Sequence, residues 1–416
     1  MNLLAVSNLY PPFHAGGYGL QTNWFCAGLA RRGHRVTVLT GYVPGATDTA
    51  GSTAEVPVRR ELAALSPDAA PRAVVTAAAG NRAAVRRVIA ETRPDAIFCT
   101  GMDGVGFNTY HAAVTAGVPS LTWAGDTWLG QAWRNLPGFD PYIDLARGGR
   151  RAGPVRWAKR AVGLLGRAAG LYAGPRPAGY TPAACISTFV SADLGRAANI
   201  PPPPVVPIIL DPAFFNPDGT AVGRDGSTAP HLRALFVSRT ERLKGPDVAI
   251  DAVAAAVTAG ADVRLTLAGL HQGQMRPELE ERARAAGVHD RLTWAGAPPH
   301  DDLIRLYRSH DVFLFPSRIV EGLGVVNCEA MACGLPVIGT ADSGAADVII
   351  DGRTGYRVPI DDPAAMGRRL VELHGDRDKL ATLSETATAF AVRSHPDRVL
   401  DRLEAELVWS ASGGHA

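Results

Sequence analysis

The sequence predicts an α/β protein of two doubly wound domains, each a parallel sheet covered by helices. Three observations support this fold class. The chain has 416 residues, which is enough for two domains of ordinary size. Short apolar runs alternate with helical patterns along both halves, as βαβ units require. A proline-rich stretch at residues 201–207 is typical of a connector between domains.

In the first half, the alternation begins at the N-terminus. Residues 3–7 form an apolar run of strand length, and residues 18–31 follow with helical spacing. Three consecutive β-branched side chains mark the next strand, at 35–40. Further along we expect strands at 96–100 and 120–123, and a helix at 106–116.

The second half repeats the pattern, with strands expected at 233–237, 263–267, 291–294, 312–315 and 337–339. The segment before it is rich in Pro, Gly and Asp, so we place the boundary there. The predicted domains are residues 1–215 and 216–391. A last helix, 392–410, carries leucines on one face and is expected to pack back on the first domain.

Composition and charge exclude several classes of protein. The chain is 46% hydrophobic and 20% charged, which is typical of a soluble globular protein rather than a disordered chain, a collagen or a coiled coil. Its 42 basic and 40 acidic side chains leave a formal charge of +2, so nucleic acid is not expected as a partner. Residues 1–210 carry 20 basic and 11 acidic side chains, which makes the first half basic and the second acidic.

Cysteine usage and the N-terminus both indicate the cytoplasm. Five scattered cysteines form neither a disulfide framework nor a zinc motif. The N-terminal apolar run ends at Val6 and lacks a positive region and a cleavage site, unlike a signal peptide.

One basic stretch, residues 147–167, breaks the alternation. It holds seven Arg and Lys side chains interleaved with apolar ones. Two interpretations stay open. The stretch is a covering helix whose arginine stems coat apolar surface, or it is a peripheral contact with an anionic membrane.

Two glycines, Gly16 and Gly17, lie between the first predicted strand and helix. This is the position where ligands bind in open α/β sheets, and paired glycines let backbone N–H groups approach a phosphate. They also serve in ordinary turns. The second strand is followed by Gly41-Tyr42 without the acidic residue of a dinucleotide site, which disfavours a nicotinamide oxidoreductase. A nearby loop residue, His14, is a weaker candidate.

In the second half, Arg239 and Lys244 follow a first strand and precede a helix. The chain has three lysines in all, so one in such a loop is notable. Arg and Lys at this spacing can clamp a pyrophosphate. The alternative is a solvated charge cluster.

The most informative segment is 313–338. A strand ends at Phe315, a glycine-rich loop carries Glu321, and the following helix carries Glu329 among small and apolar residues. A buried acid in that setting needs a polar partner and invites a ligand hydroxyl. Gly322, Leu323 and Gly324 leave the backbone amides of the loop open to an anion or a sugar oxygen.

Taken together, these motifs resemble glycosyltransferase family 4, the retaining enzymes of GT-B fold. The resemblance rests on the Glu-x7-Glu pair, the preceding Pro316-Ser317, the Glu-Ala-Met-Ala-x-Gly-x-Pro-Val run, Arg239 with Lys244-Gly245, and Gly16-Gly17. It implies two Rossmann-like domains that face each other across a cleft, with a nucleotide-sugar donor and a sugar acceptor as the binding partners.

Roles follow from the resemblance residue by residue. Arg239 and Lys244 would neutralise the donor diphosphate, and Glu321 with the amides of 322–324 would hold the donor sugar. Glu329 would bind the ribose hydroxyls, and Gly17 would meet the phosphate. The resemblance implies no cofactor and no metal, because Arg and Lys stabilise the leaving group.

One position departs from the family pattern. Where many members carry His-Asp, this chain has Gly125-Asp126. Asp126 is therefore a candidate base or acceptor anchor, with capping of the loop as the alternative. Trp123 and Trp128 beside it are candidates for stacking on a ring.

The predicted function is a retaining hexosyltransferase, with UDP taken from the family and a small-molecule acceptor of natural-product type. One alternative is a membrane-associated enzyme that acts on a lipid-linked or polysaccharide acceptor. The other is a nucleotide-sugar epimerase or binding protein of the same fold.

Overall fold

The computed structural model describes residues 1–13, 17–42, 56–64, 71–102, 104–135, 183–225, 229–238, 241–269 and 275–413. The chain divides into two compact units. The first contains Met1–Ile209 and Pro396–Ala416, and the second contains Leu210–His395. The composition of the linker predicts this boundary after residue 215.

The first unit contains a parallel sheet with the strand order β3-β2-β1-β4-β5-β6. The chain leaves β1 toward one edge and returns beside it as β4, so the topology switches direction between these two strands. Its strands are β1 (Asn2–Ser7), β2 (Arg35–Tyr42), β3 (Val58–Ala63), β4 (Ala96–Thr100), β5 (Ser120–Ala124) and β6 (Ala183–Cys185), and its helices are α1 (Gly17–Arg31), α2 (Pro71–Thr92), α3 (Phe107–Val114), α4 (Trp128–Asn135) and α5 (Thr188–Ala198).

Burial accounts for the central strands that the sequence predicts, whereas β3, β6 and the strand Gly355–Arg357 of the second unit were not predicted. The central strands β1 and β4 are mostly apolar because both of their faces are covered, and all five residues of β4 are buried. The edge strand β3 escaped prediction because it is charged. Its Arg59 and Glu61 form an ion pair at 2.6 Å instead of entering the core.

The second unit repeats the same topology, with the strand order β12-β11-β10-β7-β8-β9. Here the direction switches between β7 and β10. Its strands are β7 (Leu232–Val237), β8 (Val263–Ala268), β9 (Leu292–Gly296), β10 (Val312–Phe315), β11 (Val337–Gly339) and β12 (Gly355–Arg357), and its helices are α6 (Pro246–Thr258), α7 (Met275–Ala285), α8 (His300–Arg308), α9 (Val325–Ala332), α10 (Pro363–Gly375) and α11 (Arg377–Ala391).

The last helix, α12 (Pro396–Ala411), belongs to the first unit. It packs against α1, where Gly28 has no side chain and Leu400 fills the space. A Cβ at Gly28 would lie 2.5 Å from Leu400 Cδ1. At the edge of this contact, Arg32 donates to Asp401 at 2.7 Å and to Glu404 at 3.1 Å.

The predicted fold class is confirmed, since both units are doubly wound α/β structures. Across the part of the chain that the structure describes, no helix has the length and apolarity needed to cross a membrane. The same residues contain no group of three or more His, Cys, Asp or Glu placed to hold a metal ion. The basic stretch 147–167 lies outside the described residues.

Candidate functional site

The candidate site of the second unit lies where the loops after β7 and β10 meet. Both loops leave the carboxyl ends of neighbouring parallel strands at the switch in topology, which is where open α/β sheets bind ligands. Gly245 ends a 3-10 turn, Arg242–Lys244, with φ of 73°. A Cβ there would lie 2.1 Å from the carbonyl oxygen of Pro316, so only glycine lets the two loops pack this closely.

This contact brings Lys244 and Glu321 together although 77 residues separate them. Lys244 Nζ donates to Glu321 Oε1 at 2.6 Å, and Ser317 Oγ donates to the same oxygen at 3.0 Å. Both charged side chains are 17% exposed. Among the described residues, no hydrogen bond reaches the second carboxylate oxygen of Glu321. The site therefore pairs a partly buried cation with a carboxylate that keeps acceptor capacity.

The backbone around Glu321 is held by the segment that follows β11. Ser343 Oγ accepts a hydrogen bond from the Glu321 N–H at 3.0 Å, and the Gly344 N–H donates to the Glu321 carbonyl at 2.9 Å. Thr340 Oγ1 donates to the carbonyl of Ser317 at 2.6 Å. These bonds fix the loop from both ends, so the carboxylate is oriented before any ligand arrives.

A second brace comes from Arg318. Its guanidinium makes two hydrogen bonds to Asp247, at 2.9 and 2.8 Å, and pairs with Asp361 at 2.5 Å. Burial works to raise the pKa of Asp247, but the Arg318 bonds outweigh it and hold that pKa below its ordinary value. Asp247 lies in the first turn of α6, so this pair ties the helix to the loop that carries Glu321.

The predicted glycine turn leads directly into α9. Gly324 precedes the helix with φ of 76°, and a Cβ there would lie 2.6 Å from Asn327 Nδ2. Leu323 is 4% exposed, so its side chain is packed inside and its backbone amide is the group that can serve a ligand. Asn327 is fully buried, and neither polar atom of its side chain has a hydrogen-bond partner among the described residues.

Glu329, eight residues after Glu321, lies in the middle of α9. The hydroxyl of Tyr307, on α8, donates to its Oε2 at 3.0 Å. Burial raises the pKa of Glu329 above its ordinary value, while the Tyr307 hydrogen bond works in the opposite direction. Glu329 is thus the polar group among small neighbours that the sequence predicts, and it has a partner that the sequence does not reveal.

Three of the predicted site residues lie outside the described residues: Arg239, Gly16 and His14. Gly17 is the first residue of α1, at the carboxyl edge of the first sheet, and it is exposed. Its proposed contact with a phosphate stays a prediction.

In the first unit, Gly125 and Tyr18 fit together. The Gly125 N–H donates to the Tyr18 hydroxyl oxygen at 2.7 Å. A Cβ at Gly125 would lie 2.8 Å from Tyr18 Cζ and 2.9 Å from Trp123 Cζ3. The tyrosine thus occupies the space into which any larger residue at position 125, including a histidine, would project.

Asp126 and the two tryptophans lie beside this pair. Asp126 Oδ1 accepts a hydrogen bond from the Trp128 N–H at 2.7 Å, which is the loop-capping contact, and its role as base or anchor stays a prediction. Trp123 is 2% exposed and donates to the Val206 carbonyl at 2.8 Å, so its ring belongs mainly to the core. Asp126 and both tryptophans line a small hollow that opens to solvent, together with Tyr18, Gly101 and Met102.

Sequence reasoning missed Ser343 and Tyr307. Ser343 follows β11 at the same carboxyl edge as Glu321, so the rule that strand ends converge could have identified it. Tyr307 gave no such signal. It lies on the buried face of α8 beside Ile304, where a tyrosine looks like any core aromatic.

The second unit contains the segment that matches a protein family model. Residues 228–390 match the family model described as glycosyl transferases group 1. A D-inositol 3-phosphate glycosyltransferase of Acidothermus cellulolyticus is 35% identical over 210 residues, which cover 47% of this chain and 46% of that protein. One from Catenulispora acidiphila is 30% identical over 214 residues, covering 49% and 51%. The chain spans about half the length of the curated relatives it matches.

Solved structures share the fold over nearly the whole chain. HepE of Anabaena in complex with UDP superposes with a TM-score of 0.69 at 18% identity, covering 98% of this chain and 100% of that one. Sucrose-phosphate synthase of Thermosynechococcus elongatus gives 0.68 at 19% identity, covering 97% and 98%. At such low identity these similarities show the fold, which is that of the GT-B glycosyltransferases.

Proposed function

We propose that the chain is a retaining glycosyltransferase of family 4 that moves a hexose from a nucleoside-diphosphate sugar to a hydroxyl of a small-molecule acceptor. One observation carries the proposal. Lys244 is held against Glu321 by two converging loops, and Glu329 follows eight residues later within the segment that matches the group 1 family model.

The donor diphosphate would bind at Lys244 and Arg239. A diphosphate carries more negative charge than one carboxylate, so it competes with Glu321 for the ammonium group of Lys244. Glu321 is then released to accept hydrogen bonds from the donor sugar, together with the amides of residues 322–324. Glu329 would accept hydrogen bonds from the ribose hydroxyls. UDP is the expected nucleotide, because HepE of Anabaena, which shares the fold, is solved in complex with UDP.

The reaction would proceed on one face of the donor sugar. The bond between the anomeric carbon and the diphosphate oxygen breaks, and the acceptor oxygen bonds to the same face of that carbon. The departing phosphate oxygen helps to take the acceptor proton. Lys244 and Arg239 stabilise the charge that develops on the leaving group, which supplies the role that a metal ion fills elsewhere.

On the acceptor side, we place the acceptor at the first unit, near Gly17, Tyr18 and Asp126. The curated relatives are named for an inositol phosphate, a small polyhydroxylated ring. A carboxylate beside aromatic side chains, as at Asp126, Tyr18 and Trp128, can accept hydrogen bonds from the hydroxyls of such a ring. We propose that the enzyme acts in the cytoplasm.

The test compares two lysine variants in one assay that measures release of nucleoside diphosphate from UDP-sugars with and without an acceptor. Lys244→Ala should lower kcat/KM by about 10² to 10³, since it removes one group that stabilises the leaving group. Glu321→Ala should also lose activity. Lys379→Ala is the matched control, because Lys379 likewise pairs with a glutamate of the second unit, Glu372, on the α10 and α11 surface.

The assignment is wrong if Lys244→Ala and Lys379→Ala behave alike. If the assay yields an epimerised nucleotide sugar and no transfer product, the protein is a nucleotide-sugar epimerase instead. Salt-sensitive sedimentation with anionic vesicles would favour the lipid-linked acceptor over the soluble one.

A further inference from the structure

Tyr307 is a buried tyrosine whose hydroxyl contacts Glu329, one of the residues proposed to bind the nucleotide-sugar donor. The side chain is fully buried on α8, and its ring packs against Phe214 and Phe313 with centroid distances of 6.4 and 5.9 Å. These contacts fix the ring, so the hydroxyl is presented from a rigid position. It donates to Glu329 Oε2 at 3.0 Å.

Within the described residues, this is the one hydrogen bond that the Glu329 carboxylate receives. An ionised carboxylate has two oxygens and accepts at each of them. With Oε2 committed to Tyr307, the acceptor capacity of Oε1 remains for another donor. The carboxylate is thus anchored at one oxygen and available at the other.

The donor direction of this bond is fixed. Burial, together with the nearby Glu329 carboxylate, raises the pKa of Tyr307 well above its ordinary value, so the phenol keeps its proton. The charged groups that act on Glu329 are His300, on α8, and Asp211, which pair with each other at 3.3 Å. The thiols of Cys328 and Cys333 also lie within electrostatic reach of its carboxylate.

We propose that Tyr307 is the positioning residue for recognition of the nucleotide ribose: it holds one oxygen of Glu329 so that the other accepts from a ribose hydroxyl. This inference rests on the proposed function, in which Glu329 binds the ribose. A carboxylate that is already held at one oxygen loses less rotational freedom when the nucleotide binds. The affinity for the ribose is therefore higher, although Tyr307 itself does not touch the ribose.

The test compares binding of UDP and of 2′,3′-dideoxy-UDP by calorimetry. Tyr307→Phe keeps the ring and removes only the hydroxyl. It should weaken UDP about tenfold, the value of one hydrogen bond to a charged group, and leave the dideoxy nucleotide unchanged. Tyr356→Phe is the matched control, because the Tyr356 hydroxyl donates to Glu372 at 2.8 Å elsewhere in the same unit. It should change neither affinity.

A pH series gives a second readout that packing alone would not move. Because the Tyr307 bond lowers the pKa of Glu329, its removal should raise that pKa and shift the acid limb of UDP binding to higher pH. The inference is overturned if Tyr307→Phe lowers the affinity for both nucleotides equally and leaves the acid limb of UDP binding at the same pH. Tyr307 would then have only a structural role.

The variant Glu329→Gln distinguishes a failure of the Tyr307 inference from a failure of the proposed function. If Glu329→Gln abolishes the preference for UDP over the dideoxy nucleotide and Tyr307→Phe preserves it, the inference alone is wrong. If Glu329→Gln keeps the full preference, Glu329 does not bind the ribose and the proposed donor site fails as well.

Discussion

Gly245 offers the sharpest test of how the two loops of the second unit create the site. Substitution by alanine has two costs. The backbone at φ of 73° disfavours a side chain by about 1 to 2 kcal/mol. The new Cβ would also lie 2.1 Å from the Pro316 carbonyl oxygen and 3.0 Å from its carbon, which are backbone atoms that cannot rotate away. Overpacking of this kind costs about 1 to 3 kcal/mol more.

A matched control isolates the second cost. Gly223 lies in the same unit with φ of 72°, and a Cβ there would meet nothing within 4 Å. Gly223→Ala should therefore show the backbone cost alone. Gly245→Ala should show both, and it should also push the loop after β10 away from Lys244, which weakens the bond to Glu321.

The assay combines the unfolding midpoint with the KM for the donor. For a domain of 150 to 250 residues, each kcal/mol lowers the midpoint by about 2 to 4 °C. We expect Gly245→Ala to lower the unfolding midpoint more than Gly223→Ala does. Gly245→Ala should also raise the KM for the donor, and Gly223→Ala should leave it unchanged. Equal midpoints and equal KM values would refute the claim that close packing of these loops positions the site.

Two further predictions concern the supports of the candidate sites. The pKa of Asp247 is lowered in the folded state, so the stability that its pair with Arg318 contributes is complete above about pH 4 and declines as the pH falls. Asp247→Asn should cost about 1 kcal/mol at neutral pH and flatten the acid side of a midpoint-against-pH series; an unchanged acid slope would contradict this. Gly125→Ala should destabilise the protein by about 1 to 3 kcal/mol through its clashes with Tyr18 and Trp123, and Tyr18→Ala should remove the Tyr18 part of that cost in a double-mutant cycle. Additive costs would show that the two residues do not compete for the same space.

Much of the fold is determined by local sequence. The buried central strands each contain an apolar run of at least four residues, so β1, β4, β7 and β10 could be predicted without tertiary information. The edge strand β3 could not, because one neighbour and charged side chains stabilise it rather than burial in the core. Its pattern is not that of a core strand.

The candidate site divides in the same way. The sequence by itself predicted Lys244, Glu321 and Glu329 as candidates, because of their motif spacing and their place after the ends of parallel strands. It could not determine that Lys244 and Ser317 share one oxygen of Glu321, that Tyr307 holds Glu329, or that Tyr18 fills the space above Gly125.

The physical reason is the range of the interactions. Strand and helix patterns arise from residues two to four positions apart, and the sequence records them directly. The hydrogen bonds of Tyr307, Lys244 and Tyr18 instead join residues 22, 77 and 107 positions apart at distances near 3 Å. Those distances exist only once the helices and loops have packed. Local sequence determined which groups are available at the site, and tertiary packing decided which of them meet.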